Sequence, residues 1–335
     1  MPTNPSPPAI STRSKPWATE STMVAGDDSI RTCPGCGSAE AALRQGGCRD
    51  LLMEVPGEWN VMDCARCHLT FTAPRPDESD LLQYYPSNYH VYHPAAPVRT
   101  GTVGAILRRL AMAPYWLRFG DPDLIVAPFG SGRFLDVGCG AGALLKRMAD
   151  AGWRCAGIDV SPTAVAVTRQ AVPDAVVQEA TLATFEPEAP FALITMHHVL
   201  EHLPDPVAGL ARCRQLLEPG GQLLVSVPNI DSLEARIFSR RWIGLDIPRH
   251  LTHFSRSTLT ELLERSGFQI VNARPAMCAS FLSESTLLSF PRRVRRRLLG
   301  SKTGRLLYFL LVLPASISYL LGNDPVLEVL SRRTA

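Results

Sequence analysis

Three glycines at alternate positions follow a short apolar run in this chain. The run from Phe134 carries a single acidic residue, Asp136, and leads into Gly138, Gly140 and Gly142. Glycine adopts positive φ and lets a ligand approach the backbone, and a helix after such a loop offers free N–H groups. A buried carboxylate at position 136 needs a cationic or hydrogen-bond-donating ligand. The pattern predicts a loop that holds a nucleoside-like molecule.

A second acidic residue, Asp159, ends the next apolar run, seventeen residues after Gly142. Its carboxylate is placed to accept hydrogen bonds from both hydroxyls of a ribose. However, Gly138, Gly140 and Ala143 also match the G-x-G-x-x-G/A fingerprint of dinucleotide-binding enzymes, which use a second acid too. These residues therefore predict a nucleoside and leave its identity open.

Four side chains that can move or orient protons follow a later apolar run. They are His197, His198, Glu201 and His202, within Met196-His-His-Val-Leu-Glu-His. Imidazole suits a general base because its pKa lies near working pH. We predict His202, Glu201 and His198 as catalytic residues; the alternative is that they line the ligand site or hold a loop.

A second polar group stands further along, at Arg249, His250 and His253. The planar fork of a guanidinium matches a phosphate or carboxylate. The sequence therefore predicts that these residues face the substrate and that Arg249 binds an anionic group on it.

Two C-x-x-C pairs lie towards the N-terminal end. Cys33-Pro-Gly-Cys36 and Cys64-Ala-Arg-Cys67 are separated by 27 residues. Each pair presents two thiolates, and two pairs complete the tetrahedral shell of one structural zinc ion. Four unrelated thiols or two redox pairs are the alternatives. We predict a zinc site made by Cys33, Cys36, Cys64 and Cys67, and reduced thiols of this kind indicate a cytoplasmic protein.

Alternating apolar runs and helical patterns are typical of βαβ units around a parallel sheet. We predict strands near 133–137, 154–159, 175–178, 191–196 and 222–227, with a sixth at 268–273 and a seventh at 325–332. Helices are predicted near 142–151, 162–171, 206–217 and 257–266. Ligands of open α/β sheets bind at the carboxyl ends of the strands, where the glycine loop and the histidine run both lie.

Five segments, in this order and spacing, resemble those of the class I S-adenosylmethionine-dependent methyltransferases. They are FLDVGCGAG (134–142), GIDVSP (157–162), MHHVLEHLPDP (196–206), LLEPGGQLLVSVPN (216–229) and RHLTHFSRSTLTELLERSGF (249–268). The resemblance implies an α/β fold with a Rossmann-like seven-stranded sheet, helices on both faces and an antiparallel last strand. Here a small zinc ribbon precedes that sheet.

The resemblance also implies S-adenosylmethionine as cofactor. In that family the glycine loop cradles the methionine part, and the acid after the second strand binds the ribose. The implied cofactor-binding residues are Asp136, Gly138, Gly140, Gly142, Asp159, Val160, Thr181, Leu182 and His197.

Two branches of the family share the histidine run. Zinc-bearing sugar methyltransferases use a histidine as base on the sugar. Quinone-pathway O-methyltransferases bind a divalent metal with an E-x-x-E-H run; the first position of that run here is His198, which disfavours metal binding at this place. We expect methyl transfer to a small molecule, a sugar or nucleotide-sugar, by O- or C-methylation. The alternatives are a quinone-pathway type of O-methyltransferase and a non-catalytic zinc-binding scaffold.

The chain divides into four predicted regions. Residues 1–30 are a Pro- and Ser-rich disordered tail, 31–75 the zinc-ribbon module, 76–130 an aromatic connecting segment, and 131–335 the methyltransferase domain. Tyr85 or Tyr89 of the connecting segment is predicted to reach the active site or to pack between the domains. The ribbon is not notably basic, so no nucleic-acid partner is predicted.

An apolar insertion at about 279–322 follows an arginine cluster that begins at Arg292. The stretch 306–321 is shorter than the about 20 residues of a membrane span. It predicts a buried or interfacial helical element, either in a protein core or subunit contact, or in peripheral membrane contact through 291–321.

Overall fold

The structure is a computed structural model that describes residues 32–76, 81, 83–85, 109–113, 115, 132–276, 278–298 and 301–334. The predicted tail (1–30) lies outside the described residues, as does most of the predicted connecting segment, including Tyr89. Within that segment, residues 109–113 and 115 are helical.

The described residues form eleven strands in two sheets. They are β1 (Ala41–Cys48), β2 (Trp59–Cys64), β3 (Thr70–Ala73), β4 (Arg133–Val137), β5 (Arg154–Asp159), β6 (Val176–Glu179), β7 (Phe191–His197), β8 (Leu217–Pro228), β9 (Thr252–His253), β10 (Phe268–Pro275) and β11 (Val326–Arg333). The larger sheet has the order β10-β11-β8-β7-β4-β5-β6. Strands β4 to β8 are parallel where they pair, and β11 is antiparallel to both of its neighbours. The predicted seven-stranded sheet is confirmed, including its antiparallel last strand.

Besides the helical residues of the connecting segment, eight α-helices and three 3₁₀ turns accompany the strands in the described part of the chain. The helices are α1 (Ala143–Asp150), α2 (Pro162–Ala171), α3 (Pro206–Leu216), α4 (Leu233–Phe238), α5 (Arg256–Arg265), α6 (Ala279–Leu288), α7 (Arg292–Leu298) and α8 (Lys302–Leu320). The 3₁₀ turns are Leu200–His202, Ser239–Arg241 and Ile243–Leu245. Helices α2, α3 and α5 begin where a Ser or Asp side chain accepts a backbone N–H of the first turn, which fixes their start beside the sheet.

Helices cover both faces of the larger sheet, because successive side chains of a strand point to opposite faces. Phe134 of β4 packs in one cluster with Leu145 of α1 and Val165 of α2. Its neighbour Leu135 packs in another cluster with Leu210 of α3 and with α5. The predicted arrangement of helices on both faces is confirmed.

Strand β8 begins earlier than the sequence predicts. The turn residues Pro219-Gly-Gly221 predict a strand start at 222, whereas the structure begins the strand at Leu217, directly after α3. Phe191 pairs with Leu217 and Leu193 pairs with Gln222, so the intervening residues form an irregularity in the strand. A bulge keeps the register while it absorbs extra residues, and the Pro-Gly-Gly sequence lies inside it.

The smaller sheet joins the N-terminal module to the rest of the molecule. Its order is β1-β2-β3-β9, so three strands of the cysteine-bearing module continue into a short strand that lies 180 residues further along the chain. Thr72 N–H also donates to the carbonyl of Leu251. The module is thereby fixed directly against the segment that precedes α5.

The insertion folds as helices α6, α7 and α8. Pro314 lies inside α8. Among the described helices, none combines the length and the apolar character that crossing a bilayer requires.

Candidate functional site

The glycine loop lies between β4 and α1 with its glycines in left-handed conformations. Gly138, Gly140 and Gly142 have φ of 70°, 52° and 77°. A Cβ on Gly138 would lie 2.6 Å from a methyl carbon of Val199. The loop therefore needs glycine and touches the segment that carries the histidines. Its geometry fits the cradle expected for S-adenosylmethionine.

Two buried carboxylates flank this loop. Asp136 accepts a hydrogen bond from Thr195 Oγ1 at 2.7 Å. Burial, together with the nearby charge of Asp159, raises the pKa of Asp136 to about 7, although the hydrogen bond from Thr195 lowers it. Asp159 accepts N–H groups of Gly140 and Ser161, both at 2.9 Å. Each carboxylate oxygen has a second lone pair, so Asp159 can hold the loop and still accept a ribose hydroxyl.

The remaining predicted cofactor residues follow neighbouring strands of the same sheet. Val160 directly follows β5 and is exposed, and Leu182 is buried in the core beside exposed Thr181. His197 ends β7, and burial lowers its pKa to about 4, so its imidazole is neutral at pH 7. All four lie at or beyond the carboxyl ends of parallel strands, the edge at which such sheets bind ligands.

His198 and Glu201 form a hydrogen-bonded pair just beyond β7. His198 Nδ1 lies 3.2 Å from Glu201 Oε1. Burial by itself would raise the pKa of Glu201, but the bond from His198 and the nearby imidazoles hold that pKa below its usual value. Glu201 is therefore a carboxylate and His198 Nδ1 is the donor. The His198 ring, whose side chain is 41% exposed, keeps Nε2 free to accept a proton.

The His202 ring is held by two hydrogen-bonding groups, one on the backbone and one on a tyrosine. Its Nδ1 is 3.0 Å from the carbonyl oxygen of Arg249 and 2.8 Å from Tyr85 Oη. A carbonyl only accepts hydrogen bonds, so Nδ1 carries the hydrogen and Nε2 has a lone pair. Burial lowers the pKa of His202 to about 4, which keeps the ring neutral. Tyr85 of the connecting segment thus reaches the histidine cluster.

His250 completes this cluster from a different part of the chain. Its Nδ1 lies 2.9 Å from the carbonyl oxygen of Gly244, and its Nε2 lies 4.0 Å from Glu201 Oε1. The ring centroids of His202 and His250 are 4.5 Å apart, and Glu201 Oε2 is buried without a hydrogen-bond partner. The three side chains therefore offer nitrogen and oxygen ligands to one common position.

The described residues contain two groups of side chains that can hold a metal ion. One is this cluster of Glu201, His202 and His250, whose ligand atoms all lie within 4.8 Å of one another. Two imidazoles that are each held through Nδ1 by a backbone carbonyl, together with one carboxylate, form a donor set that divalent transition metals bind. The residues present thus fit a divalent cation.

The other group is the four cysteines of the N-terminal module. Cys33 Sγ lies 3.5 Å from Cys67 Sγ, and Cys36 Sγ lies 3.5 Å from Cys64 Sγ. Four thiolates at about 2.3 Å from one ion give sulfur separations close to these distances. The N–H of Gly35 also donates to Cys33 Sγ at 3.4 Å. The cysteine cluster fits one tetrahedral zinc ion.

The structure corrects the expected role of Arg249. Its guanidinium is fully buried and donates to both carboxylate oxygens of Asp50, at 2.9 and 2.8 Å, and to Asp246 at 2.6 Å. It is saturated by protein groups, so the expectation that it binds an anionic substrate group is wrong. His253 is buried as well, with Nε2 3.0 Å from Thr72 Oγ1, and does not face a substrate.

An aromatic wall next to His198 could not be identified from spacing. The Phe281 ring of α6 lies 6.2 Å from the imidazole of His198, and the Trp242 ring lies 6.2 Å from that of Phe281. These residues come from the insertion and from a loop after α4. Their aromatic character was the only available signal, and it does not specify a position in the fold.

A family model described as a methyltransferase domain matches residues 107–273. Among curated relatives, the ubiquinone biosynthesis O-methyltransferase of Xanthomonas euvesicatoria is 31% identical over 172 residues, which cover 48% of this chain and 71% of the relative. The enzyme of the same name from Xylella fastidiosa is 39% identical over 116 residues, 30% of this chain and 44% of the relative. The chain spans about half the length of the first curated relatives that it matches.

Solved structures with a similar fold include methyltransferases at low sequence identity. One is 1,6-didemethyltoxoflavin-N1-methyltransferase from Burkholderia thailandensis, with 17% identity, a TM-score of 0.44, and coverage of 84% of this chain and 98% of that chain. Another is the N-methyltransferase NodS from Bradyrhizobium japonicum, with 14% identity, a TM-score of 0.41, and coverage of 77% and 98%.

Proposed function

Because the chain belongs to the class I S-adenosylmethionine-dependent methyltransferases, we propose that it transfers a methyl group to a hydroxyl oxygen of a small, flat-ringed acceptor. The observation that carries this proposal is the hydrogen-bonded pair of His198 and Glu201. Val199, which lies between them in the sequence, packs against Gly138 of the glycine loop. A base at this position can take the proton that an acceptor hydroxyl loses as it gains the methyl group.

The curated relatives favour the quinone-type alternative over a sugar acceptor. Both relatives described above are named as O-methyltransferases of ubiquinone biosynthesis. The Phe281 ring beside His198 supports the same choice, because a flat aromatic side chain packs well against a flat phenolic ring. A sugar or nucleotide-sugar would instead need several polar partners, and the expected one, Arg249, is occupied by Asp50 and Asp246.

Transfer from the positively charged sulfonium requires mainly position and a base. The glycine loop and Asp159 would hold the cofactor, which would supply the methyl group when bound. His198 Nε2 accepts the hydroxyl proton as the oxygen–methyl bond forms and the sulfur–methyl bond breaks. Glu201 holds the donating Nδ1 of His198 and stabilises the imidazolium that results.

A divalent cation held by Glu201, His202 and His250 would add to this chemistry. When bound, it would polarise the acceptor oxygen and lower the pKa of its hydroxyl. Glu201 belongs to both groups, since its Oε1 accepts a hydrogen bond from His198 and lies 4.0 Å from His250 Nε2, while its Oε2 is buried without a hydrogen-bond partner. Cys33, Cys36, Cys64 and Cys67 would hold a zinc ion with four protein ligands and no open position, so its role would be structural.

The test is methyl transfer to a panel of catechols, other phenols and nucleotide-sugars, read by product mass. His198→Asn should lower kcat by about 10²- to 10⁴-fold without changing affinity for S-adenosylmethionine. Asparagine tolerates the left-handed backbone at this position, where φ is 54°. His68 has a similar φ of 57° in the ribbon, so His68→Asn is the matched control and should retain full activity.

Two results would contradict the proposal. Turnover on a nucleotide-sugar but on no phenol would show that the acceptor class is wrong. Unchanged kcat in His198→Asn, with normal turnover by the wild type, would show that another group is the base.

A further inference from the structure

Helix α8 of the insertion has one face packed against the protein. Val312, Ala315 and Tyr319 are buried on this face. The Tyr319 ring lies 5.1 Å from that of Tyr115, and its hydroxyl accepts the N–H of Cys278. These contacts fix which side of α8 faces inwards.

The opposite face of α8 is aliphatic and exposed. It consists of Leu306, Leu310, Leu313, Ile317, Leu320 and Leu321, and these side chains are between 42% and 82% exposed. Intervals of three and four residues place the first five of them on a single stripe along the helix. An exposed apolar stripe of this length marks an interaction surface.

Helix α7, which leads into α8, is strongly basic. It carries Arg292, Arg293, Arg295, Arg296 and Arg297. Exposed Phe290 and Val294 place apolar side chains among these charges. Glu54 pairs with Arg292, Arg295 and Arg296, so one carboxylate offsets part of five positive charges.

We propose that α7 and the exposed face of α8 form a docking surface for an anionic lipid bilayer. Arginines next to an aliphatic helix face match negatively charged headgroups next to acyl chains. A second copy of the chain is the other possible occupant of an apolar stripe. However, residues 290–323 contain no acidic residue and Glu54 offsets only part of the arginine charge, so two such surfaces would repel each other. This inference concerns the location of the enzyme and does not depend on the acceptor.

Vesicle sedimentation with the full zinc-loaded chain tests the proposal. Wild-type protein should pellet with vesicles of phosphatidylcholine and phosphatidylglycerol, and much less with phosphatidylcholine alone. Arg293→Gln with Arg297→Gln should weaken binding about 25-fold, since each arginine near an anionic surface contributes about fivefold. Leu310→Ser with Ile317→Ser should weaken it more than about tenfold, because two aliphatic contacts with the acyl region are lost.

The matched control places the same changes elsewhere on the surface. Leu43 and Ile237 are 61% and 63% exposed and lie outside the insertion, so Leu43→Ser with Ile237→Ser should bind vesicles as the wild type does. All variants should retain affinity for S-adenosylmethionine, which shows that they are folded. Failure of folded wild type to pellet with anionic vesicles would overturn the proposal. So would a wild-type dimer that Leu310→Ser with Ile317→Ser converts to monomer, because a second copy would then cover the stripe.

Discussion

The backbone at His198 is held in a conformation that histidine rarely adopts. Its φ is 54°, and its N–H donates to the carbonyl oxygen of Ser226 at 2.8 Å. A left-handed conformation costs a residue other than glycine about 1 kcal/mol or more, and such residues cluster at functional sites. The turn reverses the chain directly after β7 and brings Glu201 back under the imidazole. The strain and the hydrogen bond therefore support the same role for His198 as base.

Cofactor affinity should depend on pH through Asp136. The folded pKa of about 7 lies above the ordinary 3.8, so proton binding to Asp136 stabilises the unliganded protein at low pH, and this contribution is lost as pH rises through about 7. The ammonium group of the cofactor needs the ionised carboxylate. Titration calorimetry should thus show affinity falling by up to about tenfold for each pH unit below about 7, because binding then requires the release of a proton from Asp136.

Asp136→Asn is the control for this pH dependence. It keeps the shape of the side chain and removes its charge, so affinity should be lower and nearly constant between about pH 6 and about pH 8. If Asp136→Asn retained the wild-type pH profile, the titrating group would lie elsewhere.

Residue-level prediction succeeds where the chemistry is encoded locally. The spacing of the four cysteines predicted that they come together, which the structure shows, and the glycine loop adopts the left-handed turns that its sequence predicts, because in both cases the neighbours in sequence define the geometry. Arg249 was misjudged for the opposite reason. Its partner Asp50 is 199 residues away, and a charged side chain in sequence does not show whether it will bind a substrate or a buried carboxylate.

At the scale of elements, long apolar runs located the strands of the larger sheet, and the family resemblance supplied the antiparallel position of β11. Strand β9 could not be predicted. It has two residues, and it exists only because Thr70 and Phe71 of β3 pair with His253 and Thr252. Such a strand is specified by tertiary contact and has no periodicity of its own.

The loop between β1 and β2 should control the histidine cluster through Asp50. The Asp50 carboxylate holds the Arg249 side chain, and the Arg249 carbonyl oxygen holds His202. Asp50→Asn should destabilise folding by about 3 kcal/mol, because it breaks a fully buried ion pair. It should also lower kcat more than it changes cofactor affinity. Chemical denaturation and steady-state kinetics measure the two effects.

Asp63→Asn provides a matched comparison in the same module. Asp63 pairs with Arg44 at 3.4 Å, and both side chains are at least one third exposed. A partly exposed pair of this kind contributes about 1 kcal/mol or less, and Asp63 does not contact the histidines. Equal losses of stability and of kcat in Asp50→Asn and Asp63→Asn would refute a special role for Asp50.

At the scale of the whole molecule, the N-terminal module that carries the four cysteines and the larger sheet share one apolar core. Cys33, Cys64 and Phe71 of the module belong to the same buried cluster as Leu135 and Ile194 of the larger sheet. The shared sheet and the Asp50–Arg249 ion pair connect the two parts further. Loss of zinc from the four cysteines should therefore disturb the positions of the histidines in the candidate site.

Metal removal should affect turnover and cofactor binding differently. The module contacts β9 and the 246–253 segment, which carry His250 and the carbonyl group that holds His202, whereas the glycine loop is built from β4, β5 and α1. Zinc-loaded protein should contain one zinc ion per chain.

Cys36→Ser should lower the thermal unfolding midpoint and abolish most turnover, while calorimetry still detects S-adenosylmethionine binding. Cys278→Ser, a thiol outside the cluster, should change neither property. Parallel loss of cofactor affinity and turnover in Cys36→Ser would mean that zinc supports the fold as a whole, and unchanged turnover would mean that the module does not position the histidines.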